Sequence, residues 1–505
     1  MRMRNSLLAA LLLSASALVA LPAAAADLRI GLQEDPDVLD PDQSRTFVGR
    51  IVYASLCDKL VDITPDLEIV PQLATSWSWS EDGKVLTMDL REGVTFHDGT
   101  PFDAEAVKAN IERSKGLPES RRKSEVKSIE SVEVSGPHQV KMTLAQPDAT
   151  LLAQLADRAG MMVSPTAAGA AGADFGSNPV CSGPFSFTER VQQDRIVLTR
   201  FAEYWNADAI HFDTVTFLPI PDTTVRLANL RSGDLDMLER LAATDAASVK
   251  SDAGLVYADA VSLGYQGITI NIDNGARGDN PFGNDAKLRQ AFELTLDRDA
   301  INQVVFEGAF APGNQPFPPT SPWYDKETPI PARDIARAKE LMKEAGHETF
   351  EVEVQVANNP VQTQLMQVVQ SMAAEAGFSV KLKSMEFASL LADQSGGNYQ
   401  ASQVGWSGRV DPDGNIHQFM TCKGGINDSK YCNPEVDALL DKARTSNDTA
   451  TRKASYDAAR KILAKDLPII YLYHQTWIWA LDDKIEGFTA YPDGMIRLEN
   501  VKFKQ

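Results

Sequence analysis

Through the C-terminal half of the chain the hydrophobic period switches repeatedly between that of a helix and that of a strand, and this limits the fold more than any single motif does. Segment 334–346, DIARAKELMKEAG, puts Ile335, Leu341, Met342 and Ala345 on one helical face and stops at a Gly. Segment 361–377 repeats the plan with Leu365, Val368, Val369 and Met372. Asn433-Pro434 opens a third helix, with Asn as the cap and Pro at the first helical position. Strands are expected at 351–356 and 379–383, between these helices. Alternating elements of this kind predict a layered α/β lobe.

The N-terminal half is richer in strands. Segments 132–134, 139–144 and 195–200 alternate or carry β-branched residues, with turns at Gly136-Pro137 and Gln193-Asp194. A strand-rich subdomain is expected before about Pro179. The segment 76–113, SWSWSEDGKVLTMDLREGVTFHDGTPFDAEAVKANIER, is a strand, a turn and a capped helix. Leu86, Met88 and Leu90 give the strand one apolar face, and Asp98-Gly99 makes the turn. Asp103 is placed to cap the helix, with Phe102 and Val107 as a hydrophobic staple.

The first residues have the pattern of an export leader. Arg2 and Arg4 are followed by the apolar stretch 7–21, which is too short and Ala/Ser-rich for a membrane span, and Ala24-x-Ala26 fits cleavage. The mature chain is expected to start near Asp27, and with no Cys before Cys57 it is expected not to be a lipoprotein. A mature chain of about 480 residues exceeds what one core organises, so at least two lobes are expected. The strongest later apolar run, 467–481, contains His474, Gln475 and Thr476 and fits core strands. The chain carries 49 Lys+Arg against 69 Asp+Glu, which argues against phosphate-backbone binding. No nucleic-acid partner is expected.

Four cysteines in an exported chain suggest two disulfides. Cys422 and Cys432 bracket the short polar loop KGGINDSKY, and Cys57 and Cys181 pair by elimination. A zinc site is disfavoured, because no C-x-x-C or nearby His accompanies them. Ser124-x-x-Lys127 has the spacing of a penicillin-binding nucleophile, but no K-T-G or S-D-N accompanies it and RRKSEVKS fits a solvated helix face. His97-Asp98-Gly99 is better explained as a turn than as a metal or acid/base site. The six histidines form no i, i+4 pair. Neither a nucleophile elbow nor H-E-x-x-H is present, so an exported peptide or wall hydrolase has little support and no cofactor is expected.

Several stretches, in order, resemble the family 5 extracellular solute-binding proteins, which feed peptides and similar solutes to ABC importers. They are the 76–113 segment, NPVCSGPFSFTERVQQDRIVLTRFAEYWN (178–206), VRLANLRSGDLDM (225–237), LRQAFELTLDRDAINQVVFEGAFAP (288–312) and GWSGRVDPDGN (405–415). The resemblance covers essentially the whole mature chain. It implies an α/β, two-lobed periplasmic-binding-protein fold of the large type II, three-subdomain form, with a hinge between lobes that close on a solute. The expected division is a leader at 1–26, a first-lobe main subdomain from 27–50, 180–265 and 480–505, a strand-rich subdomain at 51–179, and a second lobe at 266–479. The implied protein is a periplasmic monomer that captures a small peptide or peptide-like solute and delivers it to an inner-membrane ABC permease. Oligosaccharides or amino-acid conjugates are alternative solutes, and a partner protein presenting a surface on the same fold is an alternative of another class.

Trp406 and Arg409 are the sharpest site candidates. The Trp offers an apolar wall with one N–H donor. In peptide-binding members of the family the loop after the GW supplies an Asp that pairs with the ligand's α-amine. Residue-by-residue alignment puts Arg409 there, with Asp411 and Asp413 next along the loop. Arg409 then grips a carboxylate, or Asp411 takes the amine, or Arg409 and Asp411 satisfy each other. By its place in the resemblance Tyr265 lies near a lobe crossing. Gln315, Phe317 and Tyr324, in the Pro-rich loop NQPFPPTSPWY, are candidates for the second lobe's wall, and Phe47 for the first. Clustered His is lacking, which disfavours nickel chelates as ligands.

Overall fold

The computed structural model describes residues 26–504, so the expected leader and its cleavage site lie outside the described residues. Two large mixed sheets carry the two lobes. The first sheet runs Leu255–Val261, Thr476–Asp482, Met237–Leu238, Asp27–Leu32, Thr214–Pro219, Arg195–Arg200 and Phe185–Val191 in spatial order. Asp27–Leu32 pairs in parallel with both of its neighbours, and the other pairings are antiparallel. The second sheet runs Ala311–Pro312, Ile469–His474, Tyr265–Ile270, Ala401–Trp406, Phe350–Ala357 and Phe378–Met385. Phe350–Ala357 pairs in parallel with both Phe378–Met385 and Ala401–Trp406, and the helix Pro360–Ala374 joins it to Phe378–Met385, because parallel neighbours need a crossover. Leu365, Met366 and Val369 of that helix are buried against the sheet.

A four-stranded antiparallel sheet, Ala74–Trp79, Val85–Leu90, Gln139–Leu144 and Ile129–Gly136, forms the strand-rich subdomain. Leu86, Met88 and Leu90 all face its core. The Asp103 carboxylate accepts from Ala106 N at 2.9 Å and caps the helix Ala104–Gly116. Phe102 and Val107 are buried beside it, and Gly99 takes the turn at φ 77°. The two disulfides, Cys57–Cys181 and Cys422–Cys432, are formed.

The chain passes between the two large sheets twice. The first crossing, residues 262–264, joins Leu255–Val261 to Tyr265–Ile270, and the second is Gln475, between Ile469–His474 and Thr476–Asp482. Strand Thr476–Asp482 belongs to the first sheet, so the second crossing falls at Gln475 rather than between 479 and 480. The apolar run that crosses there is core on both sides of the break. The crossings hold each other: Ser262 N donates to Gln475 O at 3.0 Å, and the His474 imidazole bonds Gly264 O at 2.7 Å.

Around residues 121–128 the backbone makes successive turns rather than the exposed helix expected there. Arg122 and Glu125 are buried and paired at 2.5 Å, which overrides the polar composition.

Candidate functional site

The site grows from the strand pairing at the first crossing. Tyr265 and Trp406 are register partners on adjacent antiparallel strands of the second sheet, so they stand side by side on one face of it. Tyr265 packs edge-on to Tyr471 at 4.8 Å, and Trp406 packs edge-on to Phe419 at 4.9 Å. The indole N–H of Trp406 donates to Asn415 Oδ1 at 3.0 Å, which fixes the ring. Across the gap, Phe47 stacks on Trp477 at 4.3 Å with the rings 6° from parallel, and the Arg240 guanidinium lies 4.7 Å over Phe47. Phe47, Tyr265, Trp406, Phe419 and Trp477 bound one cleft between the lobes.

Polar groups of that cleft come from both lobes. Gln403 Nε2 donates to Gln266 Oε1 at 3.2 Å, and Gln266 Nε2 donates to Gln475 Oε1 at 3.3 Å. This amide relay runs across the second crossing and ends at Gln475 Nε2, which is buried with no partner. Gln362 Oε1 and the Tyr265 hydroxyl, both at the cleft, are likewise unpartnered. Burial raises the Glu34 carboxyl to about 7, against the pull of Arg240 at 3.7 Å.

The lobes are closed on each other. Arg45 pairs with Asp428 at 2.6 Å and donates to Leu391 O at 3.1 Å. Arg50 Nη1 donates to Ser407 Oγ at 3.0 Å, and Ala149 N donates to Arg444 O at 3.1 Å. Arg409 of the second lobe forms a buried ion pair with Asp157, which also takes Arg50 at 3.0 Å.

Of the residues singled out from sequence, Phe47, Tyr265 and Trp406 border the cleft. Arg409 does not; its guanidinium pairs with Asp157, donates to Gly408 O at 2.8 Å and lies 4.1 Å over the Trp406 ring, with Nη2 left without a partner. Nor does Asp411 pair with Arg409; its partner is Arg452, at 2.6 Å. Gln315 is buried in a reciprocal bond with the Asp325 backbone, at 3.1 and 3.0 Å. Phe317 packs on Tyr456 in the core at 5.8 Å, and Tyr324 sits half-buried in the same loop away from the cleft. The stiff Pro-rich loop therefore packs against the helix Thr449–Asp466 instead of forming a wall. His97 is held in its turn, bonded to Gly183 O at 3.0 Å and accepting from Cys181 N at 3.2 Å.

Sequence reasoning missed Arg122, Arg158, Glu34 and the glutamines of the relay. Nothing in their local patterns separates them from surface polar residues, since their burial comes from the closure of distant segments. Among the described residues no group of His, Cys, Asp and Glu is arranged to hold a metal ion, and no helix is long and apolar enough to cross a membrane.

Comparison with known proteins gives a consistent result. A family model described as bacterial extracellular solute-binding proteins, family 5 middle, matches residues 68–427. A glutathione-binding protein, GsiB, of Pectobacterium atrosepticum is 30% identical over 500 residues, covering 96% of each chain. The protein of the same name from Salmonella typhimurium is 30% identical over 505 residues, covering 97% of each. Among solved structures, a dipeptide-binding protein of Pseudoalteromonas in complex with Met-Leu superposes with a TM-score of 0.88 at 25% identity, covering 95% of this chain and 100% of the other. AgaA of A. tumefaciens in complex with agropinic acid gives 0.85 at 26% identity, covering 95% and 99%.

Proposed function

The chain belongs to the family 5 bacterial extracellular solute-binding proteins, and from that premise we propose that it is the periplasmic receptor of an ABC importer for small peptides or peptide-like solutes. It binds without chemistry, as a monomer released from its leader, and hands the solute to an inner-membrane permease. The lobes close around the solute by motion at residues 262–264 and Gln475, the two places where the sheets are joined.

The observation that supports the peptide reading best is the set of unsatisfied polar atoms in the cleft. Gln475 Nε2 is a free donor, Gln362 Oε1 a free acceptor, and the Tyr265 hydroxyl can be either. A ligand that carries N–H and C=O groups satisfies all of them, and leaving such groups buried and unpaired is costly. Phe47, Tyr265 and Trp406 supply the apolar walls that enclose it. Glutathione, the ligand named for relatives 30% identical, is such a compound. An amino-acid conjugate is the second reading, favoured by the likeness to the agropinic acid complex.

The test is a thermal-shift screen of the mature protein against dipeptides, tripeptides, glutathione, opine-like conjugates and oligosaccharides, with hits repeated by calorimetry on Trp406→Ala. A solute at 100 times its Kd adds about 2.7 kcal/mol of stability, a visible rise in melting temperature. Hits confined to oligosaccharides overturn the peptide reading and keep the receptor role.

A further inference from the structure

On the first-lobe side of the cleft lies a buried cluster of charge that does not balance. Arg50, Arg122, Arg158 and Arg409 are all buried there, and the carboxylates among them are Asp157 and Glu125. Asp157 takes Arg50 and Arg409, and Glu125 takes Arg122. Arg158 is left with no carboxylate in ion-pair range among the described residues, its nearest acceptor being the backbone oxygen of Ser44 at 2.8 Å. Arg122 shares that same carbonyl at 3.3 Å. Four guanidiniums against two carboxylates leave a net charge of two, one shared by Arg50 and Arg409 about Asp157 and one on Arg158.

The uncompensated charge on Arg158 faces the cleft, with Arg122 beside it. Arg122 and Arg158 border the cleft, are each 2% exposed, and each has a buried Nε–H without a partner. Burial, and next the like charge of Arg122, pull Arg158 down to about 10, as expected of a cation without a counter-ion. Burying unpaired cations is expensive unless something anionic arrives to pair with them. A guanidinium offers two parallel N–H donors that match a planar carboxylate.

We propose that Arg158, with Arg122 beside it, seats a side-chain carboxylate of the solute, so that this receptor selects peptide-like compounds bearing a second acidic group over neutral dipeptides. The assignment rests on the peptide reading above and names its ligand class.

Ala-Glu and Ala-Gln differ by one carboxylate at nearly constant shape, so calorimetry of the wild-type mature protein with this pair is the direct test. A charge-assisted pair at a buried site favours Ala-Glu by about 10-fold or more. In Arg158→Gln the preference falls to within about 2-fold, and Arg122→Gln repeats the measurement should the first variant fold poorly. Equal binding of the two dipeptides to the wild type, or a preference that survives in both variants, overturns the dicarboxylate assignment while the peptide receptor stands. Binding of a phosphorylated dipeptide in place of Ala-Glu overturns the carboxylate source. If neither dipeptide nor glutathione binds, the peptide reading itself falls, and this assignment with it.

Discussion

Arg409 and Asp157 lie 252 positions apart, on opposite lobes, and meet in a buried ion pair across the lobe contact. Burial alone would raise the Asp157 carboxyl, but Arg409 and then Arg50 more than offset it and hold it far below the usual carboxylate range. Asp157 is thus the shared anion of the latch. Asp157→Asn leaves Arg50 and Arg409 buried without their carboxylate, and loss of one partner of a buried pair costs about 3–5 kcal/mol. Arg409→Met removes one of the excess cations and is the milder change. Urea denaturation and small-angle scattering check this: Asp157→Asn is the less stable and the more open, and the reverse order overturns the latch. Because Arg409 is occupied by Asp157, Arg409→Met lowers the affinities for Ala-Glu and Ala-Gln by the same factor.

Tyr265 presents a buried hydroxyl with no partner. Tyr265→Phe leaves the ligand-free protein as stable as before or more so, by up to about 1 kcal/mol, since it removes an unsatisfied group. Solute affinity falls by about 5-fold to 10-fold, the value of one neutral hydrogen bond. Thermal melts with and without solute separate the two effects. A variant that is destabilised yet binds normally assigns the hydroxyl a structural role.

His474 sits at the second crossing with its ring against Gly264 O, and burial lowers it from 6.5 to about 4. Between these values the unfolded chain binds a proton that the folded chain refuses. The stability from burying a neutral ring is full above pH 6.5 and is lost as the pH falls toward 4. The loss amounts to about 3 kcal/mol at most. Stability profiles of wild type and His474→Gln from about pH 7.5 to 4.5 isolate it, the wild type falling more steeply. Parallel profiles would show that folding leaves the His474 pKa unshifted.

Gly264 and Gly408 pack backbone to backbone where the Trp406–Arg409 loop meets the first crossing. A Cβ on Gly264 would lie 1.8 Å from Trp406 O, and one on Gly408, at φ +87°, would lie 2.4 Å from Leu263 C. Gly264→Ala therefore costs about 3 kcal/mol or more, because backbone cannot step aside as a side-chain tip can. Gly99, at φ +77° with nothing nearby, is the control: Gly99→Ala costs only its backbone preference, about 1 kcal/mol. Equal costs in chemical denaturation contradict the close approach at the crossing.

The two disulfides differ in the length of chain they close, 124 residues against 10. In the chain-entropy account, replacing Cys57 and Cys181 by Ala costs about 5 kcal/mol, and replacing Cys422 and Cys432 about 3 kcal/mol. Midpoint shifts in urea rank the two, and a larger loss at the short loop contradicts that account.

Local sequence determined the local structure. The Asp103 cap, the Phe102 and Val107 pair, the turn at Gly99 and the alternation of Leu86, Met88 and Leu90 were legible because each depends on residues a few positions apart. The helix faces built on Leu341 and Leu365 were legible for the same reason. Tyr265 and Trp406 became neighbours through strand register, and Phe47 and Trp477 through a stack across 430 positions, which no local pattern encodes. Arg409 is not paired with the nearest acid in sequence, Asp411, which Arg452 claims; its partner, Asp157, lies on the other lobe. Arg122 and Arg158 in sequence are ordinary polar residues. Periodicity and capping are short-range and written in order along the chain; which charges end buried, paired or left for a ligand depends on how two lobes close, and only the tertiary structure decides that.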